Sequence, residues 1–393
     1  MDNVRVVTIS AIFRSLSYST IWIFSSIYVT TFLGMPVIFA SVLFFAGGLV
    51  SSVSQVAGGK IGDRVGHRNT YVFSLGAISI MMLMLSSLRF ISESFENYFI
   101  FIVLLMALNS FLSPSSNSLV SNSSAVQLKG FSIIRVGNNV GWGLGPAIGG
   151  YIINASGFES LFVYCFYMSF LSFIISLFVT GVQIKEERKI TFKTSNLSLI
   201  LLSFGALLLF MVQAQETVTL SIFSDRILSG NYGNIGLIYM TNGIFVIILQ
   251  PFMYKVSTRI GSYFSLLIGS FIYTTGYLSY GFDSSLINLI LSTILLTFGE
   301  DLAFPAGYAI VAEISRKDRI GTNMGIYNAF MSAGRAFGPL LGGYALTNFT
   351  SPVIIWIFAT VPGFISCILL IFSLGTIETY RKRFGGNLNG GDS

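Results

Sequence analysis

Glu300 and Asp301 are adjacent carboxyls near the middle of a long apolar stretch, ahead of Pro305, and they are the first candidates for chemistry in this sequence. Arg14, Arg335 and Glu216 interrupt other apolar stretches in the same way. Burying such charges is expensive, and by default they mark a functional site. A carboxyl in a low-dielectric cavity can load and release a proton near neutral pH. Glu300 is the expected proton carrier and Asp301 a second candidate, or the partner of a neighbouring cation. The competing reading is a structural ion pair with Arg335 or Arg14. Candidates for a solute cavity are Arg14, Tyr18, Asn109, Asn138, Gln213, Glu216, Asn328 and Arg335, with Trp22, Tyr28, Gln55, Asn139, Gln215 and Asn242 as further polar points. Amides are unwelcome in lipid and favour the interior; aromatic rings more often face lipid. The single His67, with Cys165 and Cys367 in apolar runs, completes neither a metal set nor a Ser-His-Asp constellation, so no enzyme, metal or cofactor is expected.

The elements that position these residues follow from composition. Apolar residues make up 53% of the chain and charged residues 10%, and the mean hydropathy is +0.77. A soluble domain of this length needs far more surface charge. The expectation is an all-α integral membrane protein of twelve transmembrane helices. Apolar runs place them near 6–33, 37–58, 70–89, 98–121, 131–154 and 158–180, then 198–223, 235–256, 262–281, 286–312, 321–346 and 352–376. The first run is too long for a cleaved leader and is read as a retained span. Residues 1–182 form a first six-helix bundle, 183–197 a polar connecting loop, 198–377 a second bundle, and 378–393 a tail expected to be disordered.

Two patterns support that division. Seventeen of the 22 Lys and Arg residues fall in the segments that share a side with both termini, against Arg89 and Arg226 on the other, so both termini are expected in the cytoplasm. The basic residues are scattered among loops, which argues against nucleic acid. The halves also repeat. A shift of 195 lays Gln55, Lys60, Arg64 and Gly66 over Gln250, Lys255, Arg259 and Gly261. A shift of 193 lays Gly141, Gly145-Pro146 and Gly149-Gly150-Tyr151 over Gly334, Gly338-Pro339 and Gly342-Gly343-Tyr344. A shift of 191 lays Pro114 over Pro305 and Asn109-Ser110 over Glu300-Asp301, which makes Asn109 and Glu300 the leading cavity candidates.

The segment Gly58-Gly59-Lys60-Ile61-Gly62-Asp63-Arg64-Val65-Gly66-His67-Arg68, read as the loop after the second helix, resembles the signature loop of the major facilitator superfamily. Gly59, Gly62, Asp63, Arg64, Gly66 and Arg68 match it; His67 departs, standing where a second Arg or Lys is usual. The resemblance implies two pseudo-symmetric six-helix bundles and alternating access around a midplane site. It also implies a cytoplasmic latch at Asp63 and Arg64 that holds the outward-facing state, unless these charges only anchor the segment at the headgroups. Thr258 replaces Asp63 in the repeat, so a latch would be asymmetric. Glu313 and Arg259 belong to the same latch region, most readily as an interfacial salt-bridge cluster with Arg316 and Arg319.

The glycine-proline fifth helix resembles that of the drug:proton antiporter-like branch, although the eleventh helix has the same pattern and packing alone explains both. The expected activity is proton-coupled efflux of drug-like or lipophilic compounds. Against it, the fourth helix has Asn109 and Ser113 where exporters carry an Arg, and Arg14 with Arg335 would suit an organic anion or other small metabolite. A channel or a non-transporting sensor is the reading from other classes; the repeat and the buried carboxyl favour a carrier. The partners expected are a small solute, protons and the bilayer of the cell membrane, with the protein a monomer.

Overall fold

A computed structural model describes the backbone of residues 3–87, 94–123, 127–181, 197–315 and 319–384, and the side chains of these except 121–123, 127–132 and 374–384. Most of the polar connecting segment, Arg89, Lys129, Arg316, Lys317 and the basic cluster at 381–383 therefore lie outside the described side chains.

The described chain runs helix to helix. In order, α1 is Asn3–Phe32, α2 Val37–Val65, α3 His67–Ser86 and α4 Phe95–Ser123. Gln127–Ser176 folds back at Gly157 (φ 79°), giving α5 (127–156) and α6 (158–176). Then come α7 (Leu197–Leu228), α8 (Tyr232–Ile260), α9 (Ser262–Ser279), α10 (Leu286–Glu313), α11 (Ile320–Asn348) and α12 (Pro352–Phe384). Among the described residues nine helices are long and apolar enough to cross a membrane. The fold-back at Gly157 divides one of them, and α9 and α11, diluted by Ser, Thr, Tyr, Gly and Asn, complete twelve. Large apolar side chains face outward along these helices, among them Phe73, Ile248, Phe271 and Phe372. Such a belt suits lipid contact and not water.

The internal repeat is visible in backbone detail. Gly66 ends α2 at φ 97° and Gly261 ends α8 at φ 83°, and each N–H caps its helix by bonding the carbonyl four residues back, Gly62 and Ser257, at 2.9 Å. Both turns need a left-handed residue, which glycine supplies without strain. The glycine faces of α5 and α11 repeat too: Gly141 and Gly145 lie on Ser15, Leu16 and Ser19 of α1, while Gly334 and Gly338 lie on Leu207 and Met211 of α7.

The first six helices meet the last six at one end. There α2 packs on α11 through Ser41–Gly343 and Gly48–Ala336, and α5 packs on α8 through Gly143–Gly243 and Gly150–Tyr232. The Ser26 hydroxyl donates to the Thr217 carbonyl at 2.7 Å, Thr31 to Asp225 at 2.6 Å, and Asn154 to Asn231 at 3.2 Å. Toward the Gly66 end the faces part: Gln55 of α2 and Asn328 of α11 are exposed, and nothing approaches Gly321 or Gly325. The molecule is thus closed at the end away from Gly66 and open at the Gly66 end.

Two boundaries differ from expectation. Gly58 through Val65 is not loop but the last turns of α2, so Asp63 ends α2 instead of preceding α3. Gly58 and Gly62 serve close approach, since a Cβ there would strike the Phe111 carbonyl, or His67 and Ser115. At the other end of the chain, helix continues to Phe384, into the segment expected to be tail.

Candidate functional site

Where the two sets of helices part, they form a central open cavity with two lobes. Tyr18 and Trp22 of α1, Gln213 and Glu216 of α7, and Arg335 of α11 border both lobes. One lobe extends past Phe44, Gln55 and Met106; the other past Arg135, Asn139, Trp142, Asn242 and Glu300. The rings of Tyr18, Trp22 and Trp142 stand within 6.5 Å of one another, centroid to centroid, and form a continuous aromatic wall.

Glu216 owes its position to a break in α7. The helix passes through a short 3₁₀ turn, Ala214–Glu216, before resuming at Thr219. The Glu216 carbonyl that this frees accepts from the Tyr239 hydroxyl at 2.6 Å and from Ser221 at 3.1 Å, so the break leaves no orphaned acceptor there. The Glu216 carboxylate accepts from Gln213 Nε2 at 3.2 Å. Glu300 projects from α10, and its Oε2 accepts from Asn242 Nδ2 at 3.1 Å; that amide also reaches Thr297 at 3.0 Å. Arg335 lays its guanidinium over the Phe210 ring, 4.7 Å from the centroid, a contact that steadies a cation without neutralising it.

Asp301 points elsewhere. Adjacent residues on a helix diverge by about 100°, and Asp301 borders a separate open cavity with Arg135, Gln250, Tyr254 and Thr258. It is 7% exposed, and its Oδ2 has no hydrogen-bond partner among the described residues. Arg135 borders this cavity as well as the Glu300 lobe and faces the Gln250 amide, which, with its oxygen turned toward the guanidinium, accepts from both terminal nitrogens at 3.0 and 3.2 Å. Asp301 forms no ion pair within 4 Å among the described residues. Glu300 and Asp301 also form no ion pair with Arg335 or Arg14 among the described residues, which removes the structural ion-pair reading.

Three expected cavity residues lie together but off these cavities. Arg14 donates to Asn109 Oδ1 and Asn138 Oδ1, both at 3.0 Å, in the packing between α1, α4 and α5. Ser15 donates to the same Asn138 oxygen at 2.8 Å. The amides thus satisfy the guanidinium inside the first half, and Asn139, one residue on, faces the cavity in place of Asn138. Asn328 accepts from the Tyr308 hydroxyl at 2.9 Å, exposed toward the open end. Tyr28 is buried among Phe32, Tyr98, Phe158 and Phe162, and Gln215 bonds into α11 through the Gly338 carbonyl; neither borders the cavity.

Sequence reasoning missed Arg135 and Trp142. Their signal was present: Arg135, Asn139, Trp142 and Pro146 recur at helical spacing and share one face of α5. The glycines between them drew the helix into a packing interpretation.

At the Gly66 end, Asp63 faces His67 Nε2 at 3.3 Å, and His67 Nδ1 lies 3.3 Å from the Ser115 hydroxyl. Arg64 is exposed and bonds to nothing described. Arg68 donates to the Val179 carbonyl at 2.6 Å, capping the end of α6. Glu313 accepts from Ser262 at 3.0 Å, and Arg316 lies outside the described residues.

Comparison with known proteins finds one consistent likeness. A sequence profile of the Major Facilitator Superfamily matches residues 7–225 and 202–388. The uncharacterized MFS-type transporter YttB of Bacillus subtilis (strain 168) is 23% identical over 96% of this chain and 95% of its own. Multidrug resistance protein MdtG of Klebsiella pneumoniae (strain 342) is 22% identical over 77% of this chain and 75% of its own. Among solved structures, that of the nucleoside transporter NupG superposes with a TM-score of 0.77 at 14% identity, covering 95% of this chain and 99% of that one.

Proposed function

Because the chain belongs to the Major Facilitator Superfamily, we propose that this transporter is a proton-coupled exporter of lipophilic, drug-like compounds, working by alternating access between helices α1–α6 and α7–α12. The observation that carries this reading is the placement of Glu216 and Glu300 in one cavity behind the wall of Tyr18, Trp22 and Trp142. Aromatic faces bind flat apolar bodies and attract cations, and the carboxylates complement an amine. A cationic solute and a proton then compete for the same carboxylate, which is the minimal requirement for exchanging one against the other.

With the Gly66 end in the cytoplasm, as the Lys and Arg distribution favours, the open end faces inward and the site loads from the cytoplasm. Solute arriving at Glu300 displaces the proton inward. Closure at the Gly66 end and opening at the other then exposes the solute outside, where reprotonation of Glu300 releases it. In this scheme Asp63 and Arg64 latch the outward-facing state and part in the inward-open one, a reading supported by the exposure of Arg64. The protein works as a monomer in the cell membrane, with both termini cytoplasmic. Similarity to proteins named for multidrug resistance supports export at the level of family resemblance.

Export or uptake of an organic anion is the second reading, and one observation favours it: Arg135 and Arg335 also border the cavity. Arg14, satisfied by Asn109 and Asn138, no longer contributes to it. Proton release from purified protein in weak buffer separates the two. Tetraphenylphosphonium should release protons from the wild type and fail to do so from Glu300→Gln. Unchanged release from the variant refutes Glu300 as carrier, and proton movement triggered only by benzoate favours the anion.

A further inference from the structure

Four charged side chains border one lobe of the cavity, Arg135, Glu216, Glu300 and Arg335, and no two of them come within ion-pair distance of 4 Å. Their arrangement is lopsided. Among the described residues Arg135 is the only charge contributed by the first six helices, whereas both carboxylates come from the last six. Arg335 also belongs to the last six, and its guanidinium is steadied, though not neutralised, by the face of Phe210. Two further polar atoms at the shared wall, Trp22 Nε1 and Gln213 Oε1, are buried without a hydrogen-bond partner among the described residues, one a donor and one an acceptor. Charges at membrane depth are normally paired with one another, yet Glu216 and Glu300 are half-buried and Arg135 and Arg335 exposed where they border the cavity. Here each wall presents its charge to the space between.

Resting on the export reading above, we propose that the preferred solute is amphoteric: a flat aromatic body carrying a basic amine at one end and an acidic group at the other. The amine meets Glu216 and Glu300, the acid meets Arg135, and the body lies on Trp22 and Trp142. A solute with only a positive charge satisfies the carboxylates and leaves Arg135 with nothing better than the Gln250 amide. A solute with only a negative charge does the reverse. A zwitterion compensates both walls at once and adds no net charge to a low-dielectric space. It also ties α5 to α7 and α10 across the cleft, so that bound solute, unlike water, pulls the two sets of helices together. Arg135 is thus a specificity-determining residue of this site.

The test is a matched set on one scaffold: an aryl-piperazinyl carboxylic acid, its methyl ester, which keeps only the amine, and its N-acetyl derivative, which keeps only the acid. Of the three tryptophans, Trp22 and Trp142 line the lobe, so quenching of intrinsic fluorescence in the purified full-length protein reads binding. The free amino acid should bind about tenfold or more tighter than either derivative, as expected for one added charge-assisted contact. In Arg135→Gln its advantage over the ester should shrink to about twofold or less. Size-exclusion profile and melting temperature of the variant establish that it is folded. If Arg135→Gln fails to fold, Arg135→Lys replaces it, with a reduced but measurable advantage expected. An ester that binds as tightly as the amino acid overturns this inference and leaves cation export standing. Tightest binding by the N-acetyl derivative, or no binding by any of the three, overturns both.

Discussion

Arg14 and Arg335 are both guanidinium groups at membrane depth, and their surroundings give them different work. Arg14 is bonded by two amide oxygens, and Asn138 also takes a bond from Ser15, so this cluster joins α1, α4 and α5. Replacing Asn138 by Leu removes one of the two amide acceptors of a half-buried cation and should destabilise the fold by about 1–3 kcal/mol. Asn328→Ala, at an exposed bond to Tyr308, should change stability by less than about 0.5 kcal/mol. Thermal or denaturant unfolding of the purified protein distinguishes them, and equal losses would refute the assignment. Asp301 offers a different check. Its Oδ2 is buried and unpartnered, so the neutral isostere Asp301→Asn should leave the melting temperature unchanged or raise it. These residue-level distinctions were only partly legible in the sequence. Charge inside an apolar run marks Arg14, Glu216, Glu300, Asp301 and Arg335 as unusual, but a residue number does not say which way a side chain points. One step along a helix separated Glu300 from Asp301 and Asn139 from Asn138.

At the scale of elements, the glycines of α5, α8 and α11 decide how closely helices from opposite halves approach. A Cβ built on Gly243 would lie 2.4 Å from the Gly143 Cα, so any side chain there must push α8 from α5. Gly243→Leu should therefore hinder closure of the end away from Gly66 and shift the population toward the state open there. A cysteine introduced at Ser26, whose hydroxyl bonds across that closure, reports it; the native Cys165 and Cys367 are buried and can be replaced by Ala. Labelling by an impermeant maleimide should rise several-fold in the Gly243→Leu background, and unchanged labelling would contradict the closure described here. Element positions were largely readable in advance, because each span needs a long apolar run and the runs are separated by polar residues. The Gly58–Val65 segment was misread as loop for a physical reason. Closely spaced glycines signal either a turn or tight helix contact, and only Gly66 of this set adopts a turn conformation.

For the whole molecule, the positive-inside bias and the shared aromatic and acidic cavity combine into one account: a transporter open at the Gly66 end, proposed to exchange lipophilic solute for protons across the cell membrane. The two-half plan was legible because the repeat registers run through Gly66–Gly261 and the glycine-proline helices. The state in which the halves are held was not, since the same sequence must support both. Orientation is testable apart from transport. Cysteines placed at Arg64 and Arg226 should be labelled from opposite faces of intact cells, Arg64 only after permeabilisation. The most direct test of the central claim is flux in proteoliposomes with an acidic lumen and a lumenal pH dye. Adding a lipophilic cation outside should raise the lumenal pH in wild-type vesicles, as protons leave in exchange for solute, and should do nothing with Glu300→Gln. Full exchange by Glu300→Gln, or cation uptake that moves no protons in the wild type, would contradict the account.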